Sequence, residues 1–354
     1  VRARLATCLA LLGLLRLFVG VPAAAQAFQA KVRFTPADGT RIAWYERGQG
    51  PPLVMLMGTG STMAEWDPAL LRLLAPEHRL VLFDYPGVGW SGPWHGSSFD
   101  SLAQATAKLM AAIGVPRADV LGWSMGGFVA QRLAIEHPGR VSHLILAGTN
   151  PGGGHAVLGT RRAQEIDSEP DPSEAQILRE LYPPDRQAEG RRFLRRLEAA
   201  SQSGEIPDDF HVRAATTDRQ VAAEDPWLRS NRNYRQLAGV AAPTLAGAGA
   251  GDPVVPPLNL RRIAARVPGA EYRRFAGAHA FLFQERGAFT RVVDRFLSRQ
   301  SRRRAAARTR GRRGRRRGRR PPSAGRRARR GRWAGRRGRP RSAPAPAAAR
   351  AAAP

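Results

Sequence analysis

The sequence predicts an α/β protein: a doubly wound, mostly parallel sheet interrupted by one long helical insertion. Three observations carry that prediction. Short apolar runs, among them 53–57, 80–83 and the mostly apolar 141–147, recur between segments with helical spacing. Strands buried on both faces by flanking helices have this composition. At Gly122-Trp123-Ser124-Met125-Gly126-Gly127 an apolar strand ending in Val120-Leu121 gives way at once to a helix carrying Phe128, Val129, Ala130, Leu133 and Ala134. From about residue 150 to 233 buried strands disappear, and glycines, prolines and Arg–Glu pairs take their place before strands resume.

Taken in order, the chain opens on a basic Val-Arg-Ala-Arg, an apolar run from Leu5 to Leu15, and the small-residue stretch ending Ala25-Gln26-Ala27. This is the layout of a signal peptide over residues 1–27, with a secreted or periplasmic location expected and a cytoplasmic one as the alternative. Arg16 breaks the apolar run short of the ~20 residues a spanning helix needs. Cys8 is the sole cysteine and lies in this segment, so the remainder offers no disulfide, cysteine metal site or thiol nucleophile. Residues 31–35 and 41–46 read as a hairpin turning at Asp38-Gly39. Residues 53–57 form the next strand, followed by Gly58-Thr59-Gly60-Ser61 and a helix from about Trp66 to Leu74. The strand at 80–83 leads into the loop 84–91, a helix from about Asp100 to Ile113, and the strand that ends at Ser124.

The first part of the core therefore spans 28–149. The insertion, 150–233, has amphipathic pieces near 173–181, 187–201 and 208–223. The second part of the core, 234–300, holds a strand at 243–247, a helix at 258–265, a strand at 270–275 and a last helix from Phe281 to about Leu297.

Gly122, Ser124 and Gly126 form the G-x-S-x-G pattern of a nucleophile elbow. The turn brings strand and helix so close that the flanking positions leave almost no room for a Cβ, and it holds the serine strained with its hydroxyl clear of the sheet. The helix start offers free backbone amides, above all that of Met125. A seryl nucleophile needs a base and an acid to orient the base, in chain order serine, acid, histidine. Of the five histidines after Ser124, His137 and His143 lie just before and within the strand at 141–147, His155 and His211 fall in the insertion, and His279 remains. His279 sits after the last predicted strand, and Asp252 in Gly251-Asp252-Pro253 follows the strand before it. Asp84, with Gly87 and Gly89, reads as a turn bracing the pocket, and Arg191-Arg192 and Arg195-Arg196 as a solvated helix face.

From 31 to 300 the chain resembles the α/β-hydrolases, in the esterase, enol-lactonase and haloperoxidase-like branch. The resemblance rests on Met57-Gly58-Thr59-Gly60, Asp84 to Ser91, Gly122 to Gly127, Gly251 to Pro256 and Ala278-His279 to Gln284, in that order. It implies Ser124 as nucleophile, Asp252 as orienting acid and His279 as base, with Thr59 and Met125 supplying oxyanion-hole amides. Residues 150–233 would then be a helical cap. Met57 stands where many relatives carry His, and Ala278 where Gly is usual; both bear on substrate preference and not on the chemistry. The implied activity is hydrolysis of a small or medium carboxylic ester or lactone, with no metal or organic cofactor. Acyl transfer, perhydrolysis or haloperoxidase-like activity, and C–C or amide hydrolysis use the same triad. A serine at the elbow argues against the epoxide-hydrolase and dehalogenase readings, which place Asp there.

The net charge of +29 is unevenly placed. After residue 300 come 22 arginines with no lysine and no acid, in an Arg, Gly, Pro and Ala background. Such a segment buries no core and is expected to be disordered. It would bind polyanions nonspecifically, which keeps open a basic nucleic-acid- or envelope-binding protein as the non-enzymatic alternative, without a specific nucleic-acid partner.

Overall fold

The structure, a computed structural model, describes residues 28–299 apart from 168 and 170–172. The expected signal peptide and arginine-rich tail lie outside the described residues. Eight strands form one sheet: β1 (Arg33–Ala37), β2 (Thr40–Arg47), β3 (Pro52–Leu56), β4 (Arg79–Phe83), β5 (Ala118–Trp123), β6 (Val141–Ala147), β7 (Thr244–Gly249) and β8 (Glu271–Phe275). Their order is β1-β2-β4-β3-β5-β6-β7-β8. β1 and β2 pair antiparallel, as does β2 with β4, and every later pairing is parallel. The hairpin turns where the sequence placed it, on Asp38 and Gly39, both with positive φ.

The period-2 pattern sorts the strand side chains into two cores. Val54, Leu56 and Val120 face a layer built on α2 (Phe99–Ala112), α3 (Met125–Glu136) and α10 (Leu258–Arg266). Leu53, Met55 and Leu121 face α1 (Pro68–Leu74) and the closing helix α12, which covers 286–299. Both faces are buried, which is why the strands at 53–56 and 80–83 read as unbroken apolar runs and not as alternation.

Among the described residues, six α-helices lie between β6 and β7: α4 (Arg161–Asp167), α5 (Glu174–Leu181), α6 (Gln187–Gln202), α7 (Ala214–Ala222), α8 (Glu224–Arg229) and α9 (Arg232–Gln236). Only α5, α6 and α7 coincide with the amphipathic pieces legible in the sequence.

Two expected boundaries are corrected. The helix placed from Trp66 begins at Pro68, because Asp67 caps it through the Ala69 amide (2.9 Å) and Pro68 occupies the first helical position, where a missing N–H costs nothing. The expected single helix from Phe281 is two. α11 (Phe281–Gln284) stops at Glu285, whose φ of −102° and ψ of 31° leave the helical region. The Gln284 side chain is drawn inward there, accepting from the Ala278 amide (2.9 Å) and donating to the Leu181 carbonyl (2.9 Å).

Candidate active site

The strand order puts a row of loops along one edge of the sheet. The chain runs outward from β3 to β4, then returns to lay β5 on the other side of β3, so the loops leaving β3 and β5 part at a switch point and open a crevice. The registers align the carboxyl ends: Leu56 lies opposite Gly122, Trp123 opposite Ala147, Ala147 opposite Gly247 and Gly249 opposite Phe275. Gly58-Thr59, Ser124, Gly148, Asp252 and His279 all follow those ends.

Ser124 links β5 to α3 with φ 56° and ψ −125°. A non-glycine residue in that region costs on the order of 1–3 kcal/mol and persists only where its surroundings over-determine it. Those surroundings are the glycines. A Cβ at Gly122 would lie 2.3 Å from the Gly126 carbonyl oxygen, and one at Gly126 2.0 Å from the Leu56 carbonyl oxygen. Strand, turn and helix are in direct backbone contact. The Ser124 amide donates to the Ala147 carbonyl at 3.0 Å, tying the turn to the end of β6. Met125, the first residue of α3 and fully buried, presents an amide outside the intrahelical ladder. The loop after β3 passes directly beside the serine: a Cβ at Gly58 would sit 3.3 Å from the Ser124 Cβ and 3.7 Å from its Oγ. Thr59 is the next residue.

Asp252 and His279 meet over the same strand end. His279 Nδ1 lies 2.9 Å from Asp252 Oδ2, with the carboxylate fully shielded from solvent and the imidazole nearly so. The other carboxylate oxygen accepts from the amides of Val254 (3.0 Å) and Val255 (2.8 Å). Two amides thereby fix the Asp252 rotamer and leave Oδ2 for the imidazole. A Cβ at Gly148 would lie 3.3 Å from His279 Nδ1 and 3.5 Å from Asp252 Oδ2. Gly148 directly follows Ala147, whose carbonyl holds Ser124. The structure thus gathers Ser124, Asp252 and His279 about the end of β6, across separations of 128 residues and 27 residues in the chain.

The histidine loop is held from both sides. The Trp123 indole donates to the His279 carbonyl at 3.0 Å, and its ring packs on the imidazole with centroids 5.3 Å apart. The Ala280 amide donates to Leu181, the last residue of α5, at 3.1 Å. Trp123 therefore both packs on the sheet and abuts the site.

Asp84 is a brace, as its glycine-rich context indicated. It accepts from the Met63 amide (2.7 Å) and the Trp90 amide (3.3 Å), joining the loops after β3 and β4. Burial raises its carboxyl to about 7, against those two amides, which favour the charged form. Arg196, expected on a solvated face, instead forms a two-pronged pair with buried Asp67, at 2.6 and 3.1 Å. Sequence reasoning also passed over Gln220. It is buried on α7 and accepts from the Gly60 amide at 2.8 Å, a direct hold of the insertion on the Gly58–Ser61 loop beside the Glu224 carboxylate, which accepts from the Thr59 hydroxyl at 3.4 Å. Nothing local in the sequence marks Gln220, since its partner lies 160 residues away. Among the described residues no cluster of three or more His, Cys, Asp or Glu is arranged to hold a metal, and no helix is long and apolar enough to cross a membrane.

The profile of the alpha/beta hydrolase fold family matches residues 51–286, most of the chain and all of this geometry. The chain belongs to the α/β-hydrolase family. Over 263 residues it is 28% identical to a poly(3-hydroxyalkanoate) depolymerase of Ectopseudomonas oleovorans, covering 71% of this chain and 86% of that protein. Over 113 residues it is 36% identical to a pimeloyl-[acyl-carrier protein] methyl ester esterase of Vibrio vulnificus, 32% of this chain and 42% of the relative. A crystal structure of a hydrolase from Pseudomonas aeruginosa matches 75% of this chain and 98% of its own, with a TM-score of 0.61 and 28% identity. This α/β-hydrolase is an enzyme of the hydrolase class.

Proposed function

We propose that this α/β-hydrolase is a serine esterase that cleaves a small or medium carboxylic ester or lactone through an acyl-enzyme. One observation supports this above the others: the Asp252–His279 pair and the strained Ser124 converge on the same two residues, Ala147 and Gly148, at the end of β6. Ser124 Oγ attacks the acyl carbonyl while His279 Nε2 takes its proton. Asp252, bonded at Nδ1, fixes the tautomer and stabilises the imidazolium that forms. The tetrahedral oxyanion is met by the amides of Thr59 and Met125, and each such donor contributes about 10²–10³ in rate. The imidazolium returns the proton to the leaving alkoxide. Water, deprotonated by the same histidine, then attacks the acyl-serine and releases the acid.

The substrate class draws on the relatives, a polyester depolymerase and a methyl ester esterase, both of which act on carboxylic esters by name. The helices between β6 and β7 would act as the cap. Thr216 and Thr217 of α7 lie against Gly87 and Gly60, so this helix closes directly over the loops that flank the serine. Substrate size and polarity would be set there. The test is turnover of a p-nitrophenyl ester series from acetate to dodecanoate by the full chain and its Ser124→Ala variant. Hydrolysis with a preference for short or medium acyl groups, lowered by about 10⁴ or more in the variant, is expected. A folded protein that turns over none of the series, or a variant that keeps its rate, would overturn the proposal.

A further inference from the structure

α7 and α8 are separated only by Ala223, whose φ of −71° and ψ of −17° stay in the right-handed helical region. A face of α7 therefore continues into α8, and Gln220 and Glu224, four residues apart, lie on it together. They hold consecutive residues of the loop after β3. Gln220 accepts the Gly60 amide at 2.8 Å, and Glu224 Oε1 accepts the Thr59 hydroxyl at 3.4 Å. From the same short helix Trp227 packs on Phe128, with ring centroids 4.9 Å apart, and Phe128 lies in the first turn of α3, the helix that Ser124 opens. The Trp227 indole also donates to Asn150 Oδ1 at 2.8 Å, on the loop leaving β6. α8 thus reaches from the nucleophile's helix to the loop beside it, and Glu224 is the residue it brings to Thr59.

Glu224 and Thr59 are both half-buried, so each keeps solvent-facing surface in the crevice region. An oxygen held by the Thr59 amide would lie at most about 10 Å from that carboxylate, no more than one Debye length at 0.1 M salt. The cations of the two helices engage other groups: Arg219 donates to the Trp94 carbonyl and stands over its ring at 5.9 Å, and Arg229 pairs with Asp225 at 2.8 Å.

We propose that Glu224 is a specificity-determining residue, whose carboxylate selects neutral and cationic esters and rejects those whose acyl part carries a negative charge. The inference rests on the esterase reading and extends it to substrate charge. Attack by Ser124 places one negative charge on the oxyanion of every ester, so at that atom Glu224 acts on all substrates alike. A second negative charge, carried by the acyl part, is repelled on top of that common cost, and a cationic acyl part is attracted; this difference is what discriminates. Two unit charges about 8 Å apart, at an effective dielectric of about 20 and with salt screening, shift kcat/KM by about tenfold.

The experiment is pH-stat hydrolysis, by the full chain, of methyl butanoate, monomethyl succinate and the methyl ester of trimethylammoniobutanoate. It is run beside Glu224→Gln, which removes the charge and keeps an acceptor for Thr59, Glu224→Asp, which keeps the charge, and Ser124→Ala. In the wild type, kcat/KM for the anionic ester should lie about tenfold or more below that for the neutral one, with the cationic ester equal to or above the neutral. Glu224→Gln should close the anionic gap to about threefold or less while the neutral ester changes less than threefold, and Glu224→Asp should keep most of the gap. The arginine-rich segment after residue 300 attracts anions alike in wild type and variants, so it cancels from that comparison. The wild-type order tests the proposal even where a variant does not fold. An anionic ester as fast as the neutral one in wild type, or a gap unchanged in Glu224→Gln, overturns the proposal and leaves the esterase reading standing. Hydrolysis of none of the three esters, or hydrolysis that Ser124→Ala retains, overturns the esterase reading and this inference with it.

Discussion

Gln220, on a helix of the insertion, accepts the amide hydrogen of Gly60 at 2.8 Å, one residue beyond Thr59 on the loop that runs past Ser124. The insertion thereby fixes a peptide plane of the loop whose preceding amide is assigned to the oxyanion. Replacing Gln220 with Leu keeps the volume and removes the acceptor, leaving the Gly60 amide unpaired. Ester hydrolysis should show kcat reduced about tenfold with KM changed less than threefold, as expected for a residue that positions a transition-state donor. An unchanged kcat with lowered Tm would make the bond purely structural.

Asp252→Asn should be far more damaging than its shape suggests. Oδ1 already accepts from the Val254 and Val255 amides, so the asparagine oxygen would occupy that place and turn its NH₂ toward His279 Nδ1. The imidazole would then accept at Nδ1 and carry its proton on Nε2, the atom that must receive the serine proton. A kcat loss of about 10⁴ with little change in Tm is the expected result. Steady-state kinetics and a thermal melt on the same sample check both halves.

The elbow is equally unforgiving of added volume. Gly126→Ala would press a methyl group to 2.0 Å from the Leu56 carbonyl oxygen, a backbone atom fixed in the middle of the sheet. Overpacking costs about 1–3 kcal/mol where side chains yield. Here backbone must move, and a loss of at least about 3 kcal/mol in urea unfolding is predicted. Gly139→Ala, at a position with nothing within 4 Å, should shift stability by less than about 1 kcal/mol.

Asp84 makes stability depend on pH in an unusual direction. Its carboxyl ionises near 3.8 when unfolded and near 7 when folded, chiefly because it is buried. Between those values the unfolded chain has lost a proton that the folded protein keeps, so this group's contribution is full below pH 4 and is lost as pH rises to 7. The loss approaches about 4 kcal/mol at the limit of that shift. Urea unfolding at pH 5 and pH 7.5 should show a larger fall in stability for the wild type than for Asp84→Asn. Equal falls would remove Asp84 as the source.

The sheet was legible because its strands are buried on both faces. Runs such as 53–57 and 80–83 contain no polar residue, and the glycines after 57 and 147 mark where two of the strands end. Ser124, Asp252 and His279 stood out for the same reason: each follows a strand at the carboxyl edge, and local composition records that. The short helices α4, α8 and α9 left no such trace, being too brief to build an apolar stripe. The break at Glu285 depends on Gln284 reaching the Ala278 amide and the Leu181 carbonyl, and the partner of Arg196 is 129 residues distant. Gln220 is the same case. Side chains that tie the insertion to the core are chosen by tertiary contact, and tertiary contact has no period in the sequence.

The central claim is that Ser124 is an activated nucleophile. Its most direct test is labelling of the native full chain with a fluorophosphonate probe, followed by peptide mapping. The account predicts a single stoichiometric adduct on Ser124, absent after heat denaturation, absent in Ser124→Ala and slowed by orders of magnitude in His279→Ala. A natively folded protein that takes up no probe, or one labelled at another residue with Ser124 unmodified, would contradict it.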